Sequence, residues 1–226
     1  MISARIFVNS IVWAVLSAPL LGAGDLSGYR GFRFDMNLLA VAKQAGMELS
    51  EAKVIHQRPA VIQELSWQPQ RSLSTSHDAD SVKDVQFSFY NGELFQIVVN
   101  YDRYRTEGLT AEDLVAAISA QYGTATTPET KIVFPSLYHE TVKVIARWED
   151  SQYSLSLVRS SYQPTFGIVV WSKRLDALAQ AATTEALRLD KQEAPQREIE
   201  RNKREDDEKR LQQETSRRVN KPGFRP

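Results

Sequence analysis

Val85-Gln86-Phe87-Ser88-Phe89-Tyr90-Asn91-Gly92-Glu93-Leu94-Phe95-Gln96-Ile97-Val98-Val99-Asn100-Tyr101 is the stretch whose reading decides the fold. Two runs rich in aromatic and β-branched residues flank Asn91-Gly92, a pair suited to positive φ at both central positions of a type I′ turn. The pattern predicts a hairpin of strands 85–90 and 93–101, with Phe89 opposite Leu94 and Phe87 opposite Gln96. Alternation from that register puts Val85, Phe87, Phe89, Leu94 and Val98 on one face, and Phe95, Ile97, Val99 and Tyr101 on the other. Strands apolar on both sides belong at the centre of a sheet, covered by helix.

Toward the N-terminus, Tyr29-Arg30-Gly31-Phe32-Arg33-Phe34-Asp35-Met36 leads into a helical pattern. Asn37 is its candidate N-cap, Leu38, Val41, Ala42 and Ala45 share a face, and Gly46 is the stop. Apolar strand candidates follow at 52–56 and 61–67, then a polar, serine-rich loop over 68–84. Toward the C-terminus the order repeats. Thr110 caps a second helix with Asp113 completing a capping box, and Leu109 and Leu114 can form the hydrophobic staple. Leu114, Ile118 and Tyr122 form the expected buried stripe, and Gly123 ends the helix. Strand candidates then fall at 131–134, 142–148, 153–158 and 166–171. The expectation is an α+β fold of two tandem helix-then-antiparallel-meander halves, about 29–104 and 105–172, with the helices on one face of the sheet.

Beyond Trp171, Leu175, Leu178, Ala182 and Leu189 lie near one helical face, which predicts a helix packed on the domain and a globular unit covering 24–190. Past Pro195 apolar residues nearly vanish. Glu200 with Arg204, Glu205 with Lys209, Asp206 with Arg210 and Glu214 with Arg218 are acid-before-base pairs at helical spacing, each contributing about 0.2–0.5 kcal/mol in an isolated helix. Residues 191–226 therefore read as a charged tail, either a solvated single helix or a partly disordered arm. No heptad seam supports a coiled coil. The tail is a solubilising extension or a reach arm whose tip, Arg217, Arg218, Lys221 and Arg225 around Phe224, docks on an acidic surface.

At the other end, Arg5, an apolar run broken by Asn9-Ser10 and resuming from Ile11 to Leu21, and the small residues Gly22-Ala23-Gly24 predict a secretory signal peptide over 1–23. The rival reading is an uncleaved anchor, which needs about 20 predominantly apolar residues to span a bilayer. Asn9, Ser10, Ser17 and Pro19 make a poor span. The expected location is the periplasm or the outside of the cell, with membrane anchoring through an uncleaved segment as the alternative and no stable span after cleavage. The chain has no cysteine, which excludes disulfides, thiolate metal sites and a lipidated cysteine.

Composition narrows the partners. The 28 basic and 28 acidic residues balance, and no segment has the basic excess of a nucleic-acid binder, so nucleic acid is not an expected partner. No glycine-rich phosphate loop or paired metal motif occurs, and no cofactor is implied. His56, His77 and His139 stand far apart. His77-Asp78-Ala79-Asp80 lacks the glycine and terminal glutamate of a calcium loop. Ser72, Ser74, Ser76 and Ser81 lie near His77, but no nucleophile elbow surrounds any of them. A hydrolase whose site assembles only in three dimensions, around the His77 loop and His139, is the alternative to a non-catalytic binding module. For binding, Tyr101-Asp102-Arg103-Tyr104-Arg105 at the join of the halves is the best candidate patch, since exposed tyrosine and arginine favour interfaces. The candidate partner-binding residues are Tyr101, Arg103, Tyr104 and Arg105, with Arg217, Arg218 and Phe224 on the tail. A plain linker between halves is the competing reading of 101–105.

The Tyr29 to Met36 opening, the Phe-Tyr-Asn-Gly-Glu-Leu-Phe hairpin, the Gly-Leu-Thr-Ala-Glu-Asp-Leu helix ending at Tyr122-Gly123, and the Trp148-Glu149 and Trp171-Ser172 strands resemble a widespread group of uncharacterised bacterial exported proteins. Their plan is similar to the tandem helix-plus-sheet modules of the β-lactamase inhibitory protein and of small outer-membrane assembly lipoproteins. The likeness spans roughly Tyr29 to Leu178. It implies a non-catalytic envelope protein that works by binding an envelope or extracellular protein.

Overall fold

The computed structural model describes residues 24–69, 81–128, 131–133, 141–160, 165–223 and 225. The expected signal peptide, the His77 loop, His139 and Phe224 lie outside the described residues.

The first half opens with a small ribbon, β1 (Gly28–Tyr29) and β2 (Phe32–Arg33), followed by helix α1 (Leu38–Ala45) and the strands β3 (Lys53–His56), β4 (Ile62–Trp67), β5 (Val82–Tyr90) and β6 (Glu93–Tyr101). The second half gives helix α2 (Ala111–Tyr122) and the strands β7 (Lys131–Val133), β8 (Thr141–Glu149), β9 (Tyr153–Ser160) and β10 (Phe166–Ser172). Helix α3 (Lys173–Asn220) completes the fold. The helix boundaries have local causes. The Asn37 side chain accepts from the Ala40 N–H at 2.9 Å, and Gly46 closes α1 at φ 68°. Thr110 and Asp113 form the reciprocal capping box of α2.

The eight-stranded antiparallel sheet runs β3-β4-β5-β6-β10-β9-β8-β7. Each half is a meander, and the last strands of the two halves join them, with Val98 opposite Val169. This is the α+β fold of two helix-plus-meander halves that the hairpin predicts.

The hairpin register departs from simple alternation. Phe89 does pair with Leu94, but Phe87 lies opposite Ile97, because Phe95 is an extra residue between the Ser88–Gln96 and Phe89–Leu94 pairs. One inserted residue inverts every later position on its strand. Ile97 and Val99 thereby join Phe87 and Val85 in the main core, and Val98 turns to the opposite face. The bulge thus reverses the expected facing of 97–99.

Helix α1 buries Val41 and Ala42 against the Phe87 face, where Leu65, Phe89 and Leu94 are also fully buried. Helix α2 covers the same face more loosely. Its stripe of Leu114, Ile118 and Tyr122 is half-buried, so the expected fully buried stripe is not formed. Trp148 anchors α2 from below, donating its indole N–H to the Gly123 carbonyl at 3.0 Å.

Helix α3 lies on the opposite face. Leu175 and Ala179 pack with Ile62 and Phe95, and Ala182 and Ala186 continue the buried row. The expected face was close but rotated: Leu178 points out, and the contact is made by small side chains that bring the helix near the strands. The helix then runs on through Pro195 to Asn220, so the tail is helical over that length.

Candidate functional site

The face beneath α3 is where polar side chains meet an apolar setting. Cross-strand pairing lays Lys53, Glu64, Ser88, Gln96 and Trp171 in one row across β3, β4, β5, β6 and β10. Residues directly opposite in antiparallel strands project from the same face. Between this row and α3 runs a groove of about 490 Å³, walled by Ile62, Phe95, Trp171 and Ala179 and carrying Glu64, Ser88 and Asp176. His56 on one edge strand and Ile132 on the other both line it.

Two carboxylates in the groove are shifted toward neutrality. Burial pushes Asp176 up to about 6, against the opposing effect of the Gln180 amide that donates to it at 2.7 Å. Burial also raises Glu64, offset in part by hydrogen bonding with Gln86 and by the charge of Lys53. Neither forms an ion pair among the described residues. Ser88 is 3% exposed and lines the groove. Such an arrangement offers hydrogen-bonding groups and negative charge in a groove of mixed lining, where Gln86, Gln96, Gln180, Thr183 and Thr184 stand beside the apolar walls. Among the described residues no group of three or more His, Asp or Glu side chains is placed to hold a metal ion.

The groove is fixed by ties along α3. Lys173 at its start bonds Glu149 at 2.8 Å and the Asp150 carbonyl at 2.7 Å. Farther on, Arg58 from the β3–β4 loop grips Glu193 through both guanidinium nitrogens, one at 2.8 Å to Glu193 Oε1. Arg197 adds 2.8 Å and 2.9 Å contacts to Asp190 and Glu193. Hydrogen bonds from the two arginines hold the Glu193 carboxyl down at about 2.

The patch expected from sequence sits elsewhere. Tyr101 ends β6 and is half-buried against the main core. Asp102 folds the next residues into a tight turn: its carboxylate accepts the Tyr104 N–H at 2.8 Å, and its carbonyl accepts the Arg105 and Thr106 N–H groups at 3.1 Å. The turn presents Arg103, Tyr104 and Arg105 to solvent, with Tyr104 73% exposed and the Arg103 guanidinium 5.1 Å from its ring centre. Arg217 and Arg218 lie exposed on the last turn of α3, and Arg217 is about 46 Å of helix beyond Ala186. Arg103, Tyr104 and Arg105 are thus brought together in one turn, and the two distal arginines belong to a separate element.

Sequence reading missed Glu64 and Asp176. A signal was present, since Glu64, Gln86, Ser88 and Gln96 are polar positions inside strands. The sequence reading gave those positions no role, and α3 is what covers them.

Among the described residues no helix is long and apolar enough to cross a membrane. Compared with known protein families, curated proteins and solved structures, the chain matches none.

Proposed function

We propose that the protein is an exported, non-catalytic interaction module of the cell envelope, binding a partner protein through the turn at Tyr101, Arg103, Tyr104 and Arg105 and through the distal part of α3 at Arg217 and Arg218. The observation that carries this reading is the arm. Helix α3 continues 34 residues, 187–220, past its last buried side chain, Ala186. Isolated helical segments are marginal in water and depend on charge pairs or a partner surface. This one has charge pairs, including Arg210 with Asp207 at 3.1 Å, and exposes Ile199, Leu211 and Val219. The duplicated helix-plus-meander order of the two halves supports the same reading.

Cross-linked capture from native envelope extract, comparing residues 24–226 with a chain ending at Asp190 and with Tyr104→Ala, tests it. One specific partner held by the longer chain, and weakened by truncation or by loss of Tyr104, is the expected result. Capture of no specific partner by the longer chain overturns the proposal.

A further inference from the structure

We propose that the groove between α3 and the sheet binds a short neutral saccharide, its hydroxyls bonded by the polar floor of the sheet and a polar stripe of α3, with one sugar ring packed against Trp171. This site goes beyond the partner-binding reading and does not depend on it.

Two elements separately turn hydrogen-bonding side chains into the same space. On the sheet, Glu64, Ser88, Gln96 and Trp171 stand directly opposite one another across β4, β5, β6 and β10, at strand spacings of about 4.8 Å. Gln86 projects from the same face two residues before Ser88. On α3, Asp176, Gln180, Thr183 and Leu187 follow at i, i+4, i+7 and i+11, a stripe beside the docked one of Leu175, Ala179, Ala182 and Ala186. The sheet row, Gln86 and the 176–187 stripe all line the groove. A helix packed on a sheet ordinarily meets it with apolar residues, so polar groups on both sides fit a hydroxylated occupant.

The chemistry of the lining selects among such occupants. Amides and serine or threonine hydroxyls both donate and accept, as sugar hydroxyls do, and the two carboxylates add acceptors. Among the described residues no lysine or arginine lines the groove, which disfavours a phosphate or carboxylate ligand. A lone ammonium, which only donates, would leave the amide donors unused. The half-buried Trp171 indole supplies apolar surface for the C–H face of a ring. Arg147 packs on that indole at 5.7 Å and is not part of the lining. The volume of about 490 Å³ falls within the range of about 300–1,000 Å³ usual for small-ligand sites.

The test titrates the folded chain 24–226 with maltose, cellobiose and N,N′-diacetylchitobiose, followed by calorimetry and by amide and indole NMR shifts. Glycerol serves as a polyol without a ring, and trialanine as a neutral-backbone peptide control. At least one disaccharide should saturate below about 10 mM, with shifts clustered on β4, β5, β6, residues 176–187 and the Trp171 indole N–H. Gln96→Leu and Thr183→Val remove hydrogen-bonding groups at similar volume and should each weaken binding by about three- to tenfold. Both positions are half-buried, and a circular dichroism melt checks that the variants stay folded. The proposal is overturned if no disaccharide saturates in that range, which marks a groove holding solvent only. Equal binding of glycerol or trialanine, wild-type shifts confined to other parts of the fold, or affinity unchanged in both folded variants also overturns it.

Discussion

Glu64 on β4 stands directly opposite Ser88 on β5, and both line the groove beneath α3. A helix carrying Ala179, Ala182 and Ala186 on its inner side lies close above them. The acidic side chain is enclosed by an element about 110 residues later in the chain, which accounts for its raised pKa.

The groove makes stability depend on pH. Asp176 has a folded pKa of about 6 against an ordinary 3.8, so the folded state holds the proton more tightly and stability falls as pH rises through that interval. The loss is absent below the ordinary value and complete above about 6, at most about 3 kcal/mol. Urea denaturation across pH 4 to 8 should show wild type declining relative to Asp176→Asn, with the gap constant above about 6.5.

At the seam between halves, Gly167 faces Asn100, and a Cβ there would meet the Val99 carbonyl oxygen at 2.7 Å. Backbone cannot give way as a flexible side chain can. Gly167→Ala should cost about 1–3 kcal/mol, the range for forced overpacking, read from the denaturation midpoint.

Thr110 receives the Asp113 N–H at 3.2 Å and starts α2. Removing this cap in Thr110→Ala should lower stability by about 1 kcal/mol. Hydrogen exchange should quicken in the first turn of α2 and stay unchanged in the first turn of Asn37-capped α1, since the two helices begin independently.

Arg58 pins the middle of α3 through Glu193 and, at 3.9 Å, Asp190. These groups are solvated, so Arg58→Ala should barely move the melting temperature. Amide exchange should instead accelerate over about residues 187–197, where local opening is no longer opposed by the tie. Unchanged exchange there would show that the helix holds its course without it.

Much of the architecture was legible because its causes are local. Asn91-Gly92 forms the hairpin turn with Asn91 at φ 49° and Gly92 at φ 84°, and Asn37, Gly46, Thr110 and Asp113 act at the positions their chemistry favours. Phe95 was not legible as a bulge, because its neighbours alternate acceptably in either register and the choice is made by packing of Ile97 and Val99 in the core. The turn at Asp102 was legible as a place of exposed tyrosine and arginine. The carboxylate groove was not, since polar positions on a strand look the same whether water or a helix lies above them.

By itself the sequence determined the two helix-plus-meander halves, their caps and the main hairpin, because hydrogen-bonding partners and side-chain periodicity there lie within a few residues of one another. Only the tertiary structure decided which sheet face α3 covers, which of its residues touch the strands, and that Glu64 and Asp176 share one enclosure. Those outcomes depend on residues more than a hundred positions apart meeting in space, and burial, which sets their charge state, exists only after that meeting.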